Sequence, residues 1–164
     1  MARSDAIDAE ANRIESDALW TAQTNFVQAT FYRRLHYWIG GSAVVAAGIA
    51  SASVITDWSD AASGICALIA TVLTALLTFI NPERQWIEHN WQGSSYRDLQ
   101  HDARHLRTVH STMDDAQRGE KLQELARRQG ELNRINRPSE RAFKKAQKKM
   151  KAGDMLHPGD ESLT

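Results

Sequence analysis

The sequence predicts an all-α membrane protein: a two-helix transmembrane hairpin with an N-terminal amphipathic helix before it and a C-terminal cytoplasmic helical bundle after it. Three observations carry this expectation. Residues 37–56 and 61–80 are two runs of twenty residues without a charge, and at helical rise each matches the ~30 Å hydrocarbon thickness of a bilayer. Only Asp57-Trp58-Ser59-Asp60 joins them, too short for a domain and long enough for an antiparallel helix-helix turn. The flanks are highly charged, so the balanced net charge and negative mean hydropathy of the whole chain average two unlike regions.

A buried hairpin inside a soluble bundle is the competing arrangement. A soluble helix of that length would carry a polar face, and neither run has one beyond scattered Ser and Thr. The first run is rich in Ala, Gly and Ser, whereas the second carries Leu68, Ile69, Val72, Leu73, Leu76, Leu77, Phe79 and Ile80 and inserts more readily. Arg33 and Arg34 precede the first run and Arg84 and Arg97 follow the second, while the loop holds only Asp57 and Asp60. That asymmetry predicts cytoplasmic termini, with Trp38 and Trp86 at the inner interface and Trp58 at the outer one. The first thirty-six residues are long, polar and on balance acidic, unlike a secretory signal peptide.

Residues 1–36 form the N-terminal cytoplasmic element. Ser4 is placed to cap a helix with Asp5 and Asp8 in or near its first turn, and Ile7, Ala11, Ile14, Ala18, Ala22 and Phe26 recur at helical spacing. The helix is expected to run on through Phe31 and Tyr32, so that Arg33 and Arg34 reach the lipid headgroups. In the first span, Ala43, Ala47, Gly48 and Ala52 are small residues at four-residue intervals, which lets helices approach closely in lipid. Ser42, Ser53 and Thr56 in the first span, and Thr71, Thr74 and Thr78 in the second, form hydroxyl stripes. Such stripes either line a water-filled path in an assembly or bond to backbone carbonyls. The one cysteine, Cys66, offers neither an intrachain disulfide nor a zinc cluster.

Residues 81–152 form the cytoplasmic helical region. Asn81 can cap, Pro82 fits the first helical position and Glu83 suits the first turn, so a new helix begins where the second span ends, with Asn81 and Pro82 as a candidate hinge. Ile87, Tyr96, Leu99, Ala103, Leu106, His110 and Met113 make a broken apolar stripe, and Gly93-Ser94-Ser95 marks either a close contact or a flexible joint. His101 and His105 stand four apart with Asp98 and Asp102 near by, which suits a solvated face, a metal pair lacking its third ligand, or pH sensitivity. Ser111 to Gly119 reads as a turn, with Asp114 and Asp115 available to start the next helix. Leu122, Leu125, Leu132 and Ile135 then mark one face of that helix. A last basic helix spans Arg141 to Lys151 around Ala142, Phe143, Ala146 and Met150, and residues 153–164 read as a disordered tail.

Arg118 to Lys151 hold twelve Lys and Arg against four Glu, whereas Met1 to Thr30 hold five acids against two Arg. The two ends can pack together, or the basic helix, with Arg141, Lys144, Lys145, Lys148 and Lys149, can meet anionic lipid or a partner. Phe143 apart, no aromatics interleave with these basic residues for base stacking, which argues against nucleic acid. The sequence has no P-loop, dinucleotide fingerprint, GxSxG elbow or zinc pattern, so no enzyme, catalytic residue, metal or cofactor is expected.

The segment Arg34-Leu35-His36-Tyr37-Trp38-Ile39-Gly40 before a tight two-span hairpin resembles the SLATT family, the SMODS and SLOG-associating two-transmembrane effectors. Thr78-Phe79-Ile80-Asn81-Pro82, then His89, Tyr96 and Leu99, are similar to that family's pattern after its second span, and the resemblance covers about Ala18 to Met150. It implies a multi-pass effector of the bacterial inner membrane that assembles into pores or otherwise disrupts the bilayer in antiphage, abortive-infection defence. It also implies a homo-oligomer that takes its signal from a separate sensor, a nucleotide cyclase, a SLOG-type partner or a diffusible nucleotide, since no fused sensor is present. Two other readings share these features: a non-conducting membrane anchor that recruits cytoplasmic partners, and a holin-like lysis protein, for which the cytoplasmic helices are larger than needed.

Overall fold

A computed structural model describes residues 2–55, 60–108, 113–136 and 139–152. These form five helices and no strand: α1 Ala2–Ile55, α2 Asp60–Ile80, α3 Pro82–Thr108, α4 Asp115–Ile135 and α5 Glu140–Lys151. The proposed loop residues Asp57, Trp58 and Ser59, together with Thr56, His110, Ser111 and the 153–164 tail, lie outside the described residues.

The N-terminal amphipathic segment and the first apolar run are one helix of 54 residues. Nothing between them breaks it: no Pro occurs, and Gly40 and Gly41 sit among good helix formers and apolar residues. Ser4 lies inside this helix rather than capping it, and its hydroxyl accepts a bond from Arg118 Nη1 at 2.9 Å. Asp115 to Gly119, read as part of a turn, are already helical. Helix α4 begins at Asp115, with Asp114 as its extended N-cap residue.

The chain divides into two compact units, Met1–Gln28 with His89–Thr164, and Ala29–Glu88. The first has a conventional apolar core. Ile14, Ala18 and Ala22 of α1, Tyr96, Leu99, Ala103 and Leu106 of α3, and Leu125 of α4 bury one another, with Phe26, Leu122 and Leu132 packed at the edge. Each large side chain enclosed there contributes about 1.5–3 kcal/mol relative to exposure. Ala142 and Ala146 fix α5 to Val27 of α1, and Phe143 leans on Trp20 with ring centroids 6.4 Å apart. Ile135, expected on the buried face, is exposed, and Ile87 is exposed as well.

In the Ala29–Glu88 unit, α1 meets α2 through small groups. Ser63 donates its hydroxyl to the Ala50 carbonyl at 3.3 Å, and Gly40 approaches Leu77. Ala43, Ala46 and Ser53 are buried, at three- and seven-residue spacing along one face of α1. The large residues point outward: Val44, Val45, Ile65, Leu68, Val72 and Phe79 are all exposed.

Candidate functional site

The features able to carry function fall separately in the two units, and in the Ala29–Glu88 unit they begin with its surface. Two helices contain stretches long and apolar enough to cross a membrane, and those stretches are almost wholly unburied. Leu68 is 65% exposed and Phe79 88% exposed, an outcome that water would penalise and hydrocarbon would not.

The hydroxyl stripes behave unequally. Thr71, Thr74 and Thr78 face outward on α2, and each hydroxyl donates to a carbonyl one turn back: Ala67 at 2.9 Å, Ala70 at 2.8 Å and Thr74 at 3.1 Å. Their donors are thereby satisfied within the helix, while oxygen lone pairs remain to accept. Ser42 is exposed, but Ser53 is buried with its hydroxyl on the Ala50 carbonyl at 2.9 Å, so within one chain it does not line an open path. Thr56 lies outside the described residues.

The small residues divide similarly. Of Ala43, Ala47, Gly48 and Ala52, only Ala43 is buried within the chain; the others face outward. The other buried positions on this stretch of α1 are Ala46 and Ser53, which with Ala43 make a stripe at three- and seven-residue spacing. A four-residue repeat drifts around a helix of 3.6 residues per turn, so the sequence alone does not say which small residues meet the neighbour.

Asn81 joins α2 to α3 as the sequence suggested. Its φ of 43° lies in the left-handed region, which Asn tolerates better than other residues with a Cβ. Its N–H closes the last turn of α2 on the Leu77 carbonyl at 2.9 Å, and its side-chain Oδ1 accepts from the Arg84 N–H at 3.3 Å. One residue therefore terminates one helix and caps the next, and the buried Pro82 supplies the first residue of α3.

In the other unit, charge is used to hold helices together. Glu15 is fully buried on α1 and takes Arg104 Nε at 3.0 Å on one oxygen and Arg107 Nη2 at 2.9 Å on the other, both from α3. Arg118 of α4 is buried and bridges Ser4 and Asp8 of α1. The acidic N-terminal half of α1 is thus matched by arginines of α3 and α4. Glu15 was invisible as a core residue in the apolar pattern. The signal is positional: it follows Ile14 on the buried face, and two arginines three apart on α3 can reach it.

Neutral polar pairs also join helices of this unit. His89 Nδ1 donates to Asn25 Oδ1 at 3.1 Å, and Asn25 Nδ2 donates to the Thr21 carbonyl at 3.0 Å, which fixes the amide orientation. Tyr96 donates its hydroxyl to Asn133 Oδ1 at 2.7 Å, and burial raises its pKa above the ordinary phenol value. Gly93 answers the question posed by Gly93-Ser94-Ser95: a Cβ there would stand 2.8 Å from Phe26 Cε1, so the glycine marks a close contact.

Helix α5 descends along α1. Ser139 N–H bonds Gln28 Oε1, Phe143 meets Trp20, and Gln147 shares a groove with Asp17 and Thr21, so α5 runs toward the N-terminus of α1. Lys144 pairs with Glu140 at 2.6 Å, while Arg141, Lys145, Lys148 and Lys149 have no ion-pair partner among the described residues. His101 and His105 are exposed with rings stacked at 5.9 Å, and among the described residues no three His, Cys, Asp or Glu are grouped to hold a metal. No protein-family model, curated protein or solved structure matches the chain.

Proposed function

We propose that the chain is an oligomeric effector of the bacterial inner membrane, multi-pass with both termini cytoplasmic, in which α2 and the C-terminal part of α1 form a transmembrane hairpin. A signal received by the cytoplasmic helices converts the assembly to a state that breaches the bilayer. One observation carries the membrane part of this reading. In the apolar runs of the Ala29–Glu88 unit the buried side chains, Ala43, Ala46 and Ser53, are small and the large apolar ones are exposed, the reverse of a water-soluble core. Oligomerisation is supported by Ala47 and Gly48, small residues exposed on α1, where a helix of a second copy can approach closely.

The role in antiphage defence rests on the resemblance to SLATT effectors. Under that reading, the Glu15 and Arg118 ion pairs hold the cytoplasmic helices in the resting arrangement, and the unpaired cations of α5 are the surface offered to a partner protein. Arg33 and Arg34, which lead into the apolar run, suit the lipid headgroups better than α5 does.

A second reading has an observation in its favour. Because Thr71, Thr74 and Thr78 bond their own backbone, α2 needs no aqueous lumen to satisfy them, which suits a non-conducting anchor. Membrane potential and dye entry in bacteria expressing the intact chain distinguish the two. Gly48→Leu starts from a Cβ that meets no atom within 4 Å, so the change is aimed at packing between copies rather than within the chain. Depolarisation that disappears in Gly48→Leu or Thr74→Leu supports the pore. Depolarisation by the intact chain that neither variant changes would discard these faces as its wall. A potential that stays stable with candidate partner genes co-expressed favours the anchor.

A further inference from the structure

We propose that the Ala29–Glu88 unit binds an anionic phospholipid, with an acyl chain in a groove between α1 and α2 and the phosphate held by Arg33 and Arg34. The proposal rests on the membrane reading above and adds a specific ligand to it. The groove is an open trough of about 540 Å³, lined by Tyr37, Trp38, Gly41 and Val45 of α1 and Cys66 and Ile69 of α2. Its surface is overwhelmingly apolar, and Gly41 leaves the α1 wall open, since a Cβ there would meet nothing within 4 Å.

The polar end of the ligand follows from the helix geometry. Arg33 and Arg34 lie one turn before Tyr37 and Trp38, hence on the same faces of α1. Helical side chains lean toward the N-terminus, which carries both guanidinium groups past the aromatic rim and away from the apolar lining. Both arginines are exposed, and neither has an ion-pair or hydrogen-bond partner among the described residues. An apolar trough that ends in two aromatic rings and two unmatched cations matches an acyl chain, a glycerol interface and a phosphate in that order. A helix from a second copy matches it less well: residues 37–56 and 61–80 contain no carboxylate to meet the arginines.

The test uses the full chain purified in mild detergent, with bound phospholipid counted by native mass spectrometry. Phosphatidylglycerol and phosphatidylcholine of identical acyl chains are the probes. The intact chain is expected to retain phosphatidylglycerol about tenfold more strongly than phosphatidylcholine. Arg33→Gln with Arg34→Gln should remove that preference, and Gly41→Leu, which fills the groove, should lower retention of both lipids. Helical circular dichroism monitors folding in each variant. Equal retention of the two lipids by the intact chain, or a preference that survives the arginine changes, overturns the proposal. Loss with the arginine changes but none with Gly41→Leu overturns the acyl-chain placement. Release of the intact chain from membranes by carbonate would instead sink the membrane reading itself, which keeps the two failures distinguishable.

Discussion

Leu99 and Leu68 are the same residue in the same secondary structure, yet Leu99 is fully buried in one unit while Leu68 is 65% exposed in the other. The first unit sorts residues as water requires, with Leu, Ile and Tyr inside and charges outside or paired. The second inverts the sizes: the buried positions are Ala43, Ala46 and Ser53, while Phe79, Leu68 and Val72 face out. Hydrophobicity explains the first arrangement, because burying a large side chain removes the most surface from water. It does not explain the second. In hydrocarbon a large side chain gains little by turning inward, and close approach of two backbones through small residues gains more.

The largest effect should come from breaking the water-type core. Leu99→Ala is expected to cost the first unit about 2–5 kcal/mol, whereas Leu68→Ala should leave its unfolding within about 0.5 kcal/mol of the parent. Denaturant titration followed by amide exchange on α3 and α2 would measure both. Equal losses would mean that Leu68 is as enclosed as Leu99 and that both units are packed as water requires.

Next in size is the buried lock. Glu15→Ala leaves Arg104 and Arg107 without their carboxylate, and because both arginine side chains stay 32% exposed the cost should be about 2–3 kcal/mol, below that of a fully buried pair. Glu15→Gln should recover only part of it. A double-mutant cycle with Arg104→Ala tests whether the loss comes from this contact, since coupled residues give non-additive changes.

Two glycines sharpen the comparison further. Alanine is ordinarily favoured over glycine inside a helix by about 1 kcal/mol. Gly93→Ala should reverse that sign and destabilise by about 1–2 kcal/mol, because its Cβ would stand 2.8 Å from the Phe26 ring. Gly48→Ala meets no atom within 4 Å and should follow the ordinary sign in the isolated chain. Thermal melts of the two variants give the answer, and Phe26→Leu should relieve the first change and leave the second untouched.

The smallest effect is electrostatic and confined to alkaline solution. Folding raises the Tyr96 pKa through burial, so the folded state holds that proton more tightly than the unfolded chain. The associated stability is present below the unfolded phenol value near ~10 and is lost as pH rises through the folded value. Tyr96→Phe should flatten the stability profile above about pH 10 while losing roughly 1 kcal/mol of its hydrogen bond to Asn133 at neutral pH.

Much of this architecture is written locally. Uncharged length marks both apolar runs, the 3.6-residue period marks Ile7, Ala11, Ile14, Ala18 and Ala22 as a buried face, and Asn81-Pro82-Glu83 announces a helix junction through its own conformational preferences. These signals depend on neighbours within about one turn, so one sequence contains them. The tertiary structure alone decided which polar residues are core and which small ones are contacts. Glu15 is buried because two arginines some ninety positions later arrive beside it, and Gly93 is needed because Phe26 lies on it. It also buried Ala46 and Ser53 rather than Gly48 and Ala52 on α1 and turned α5 toward the N-terminus of α1. Such pairings are set by how helix surfaces interlock in three dimensions, and a local period describes a face without naming what will cover it.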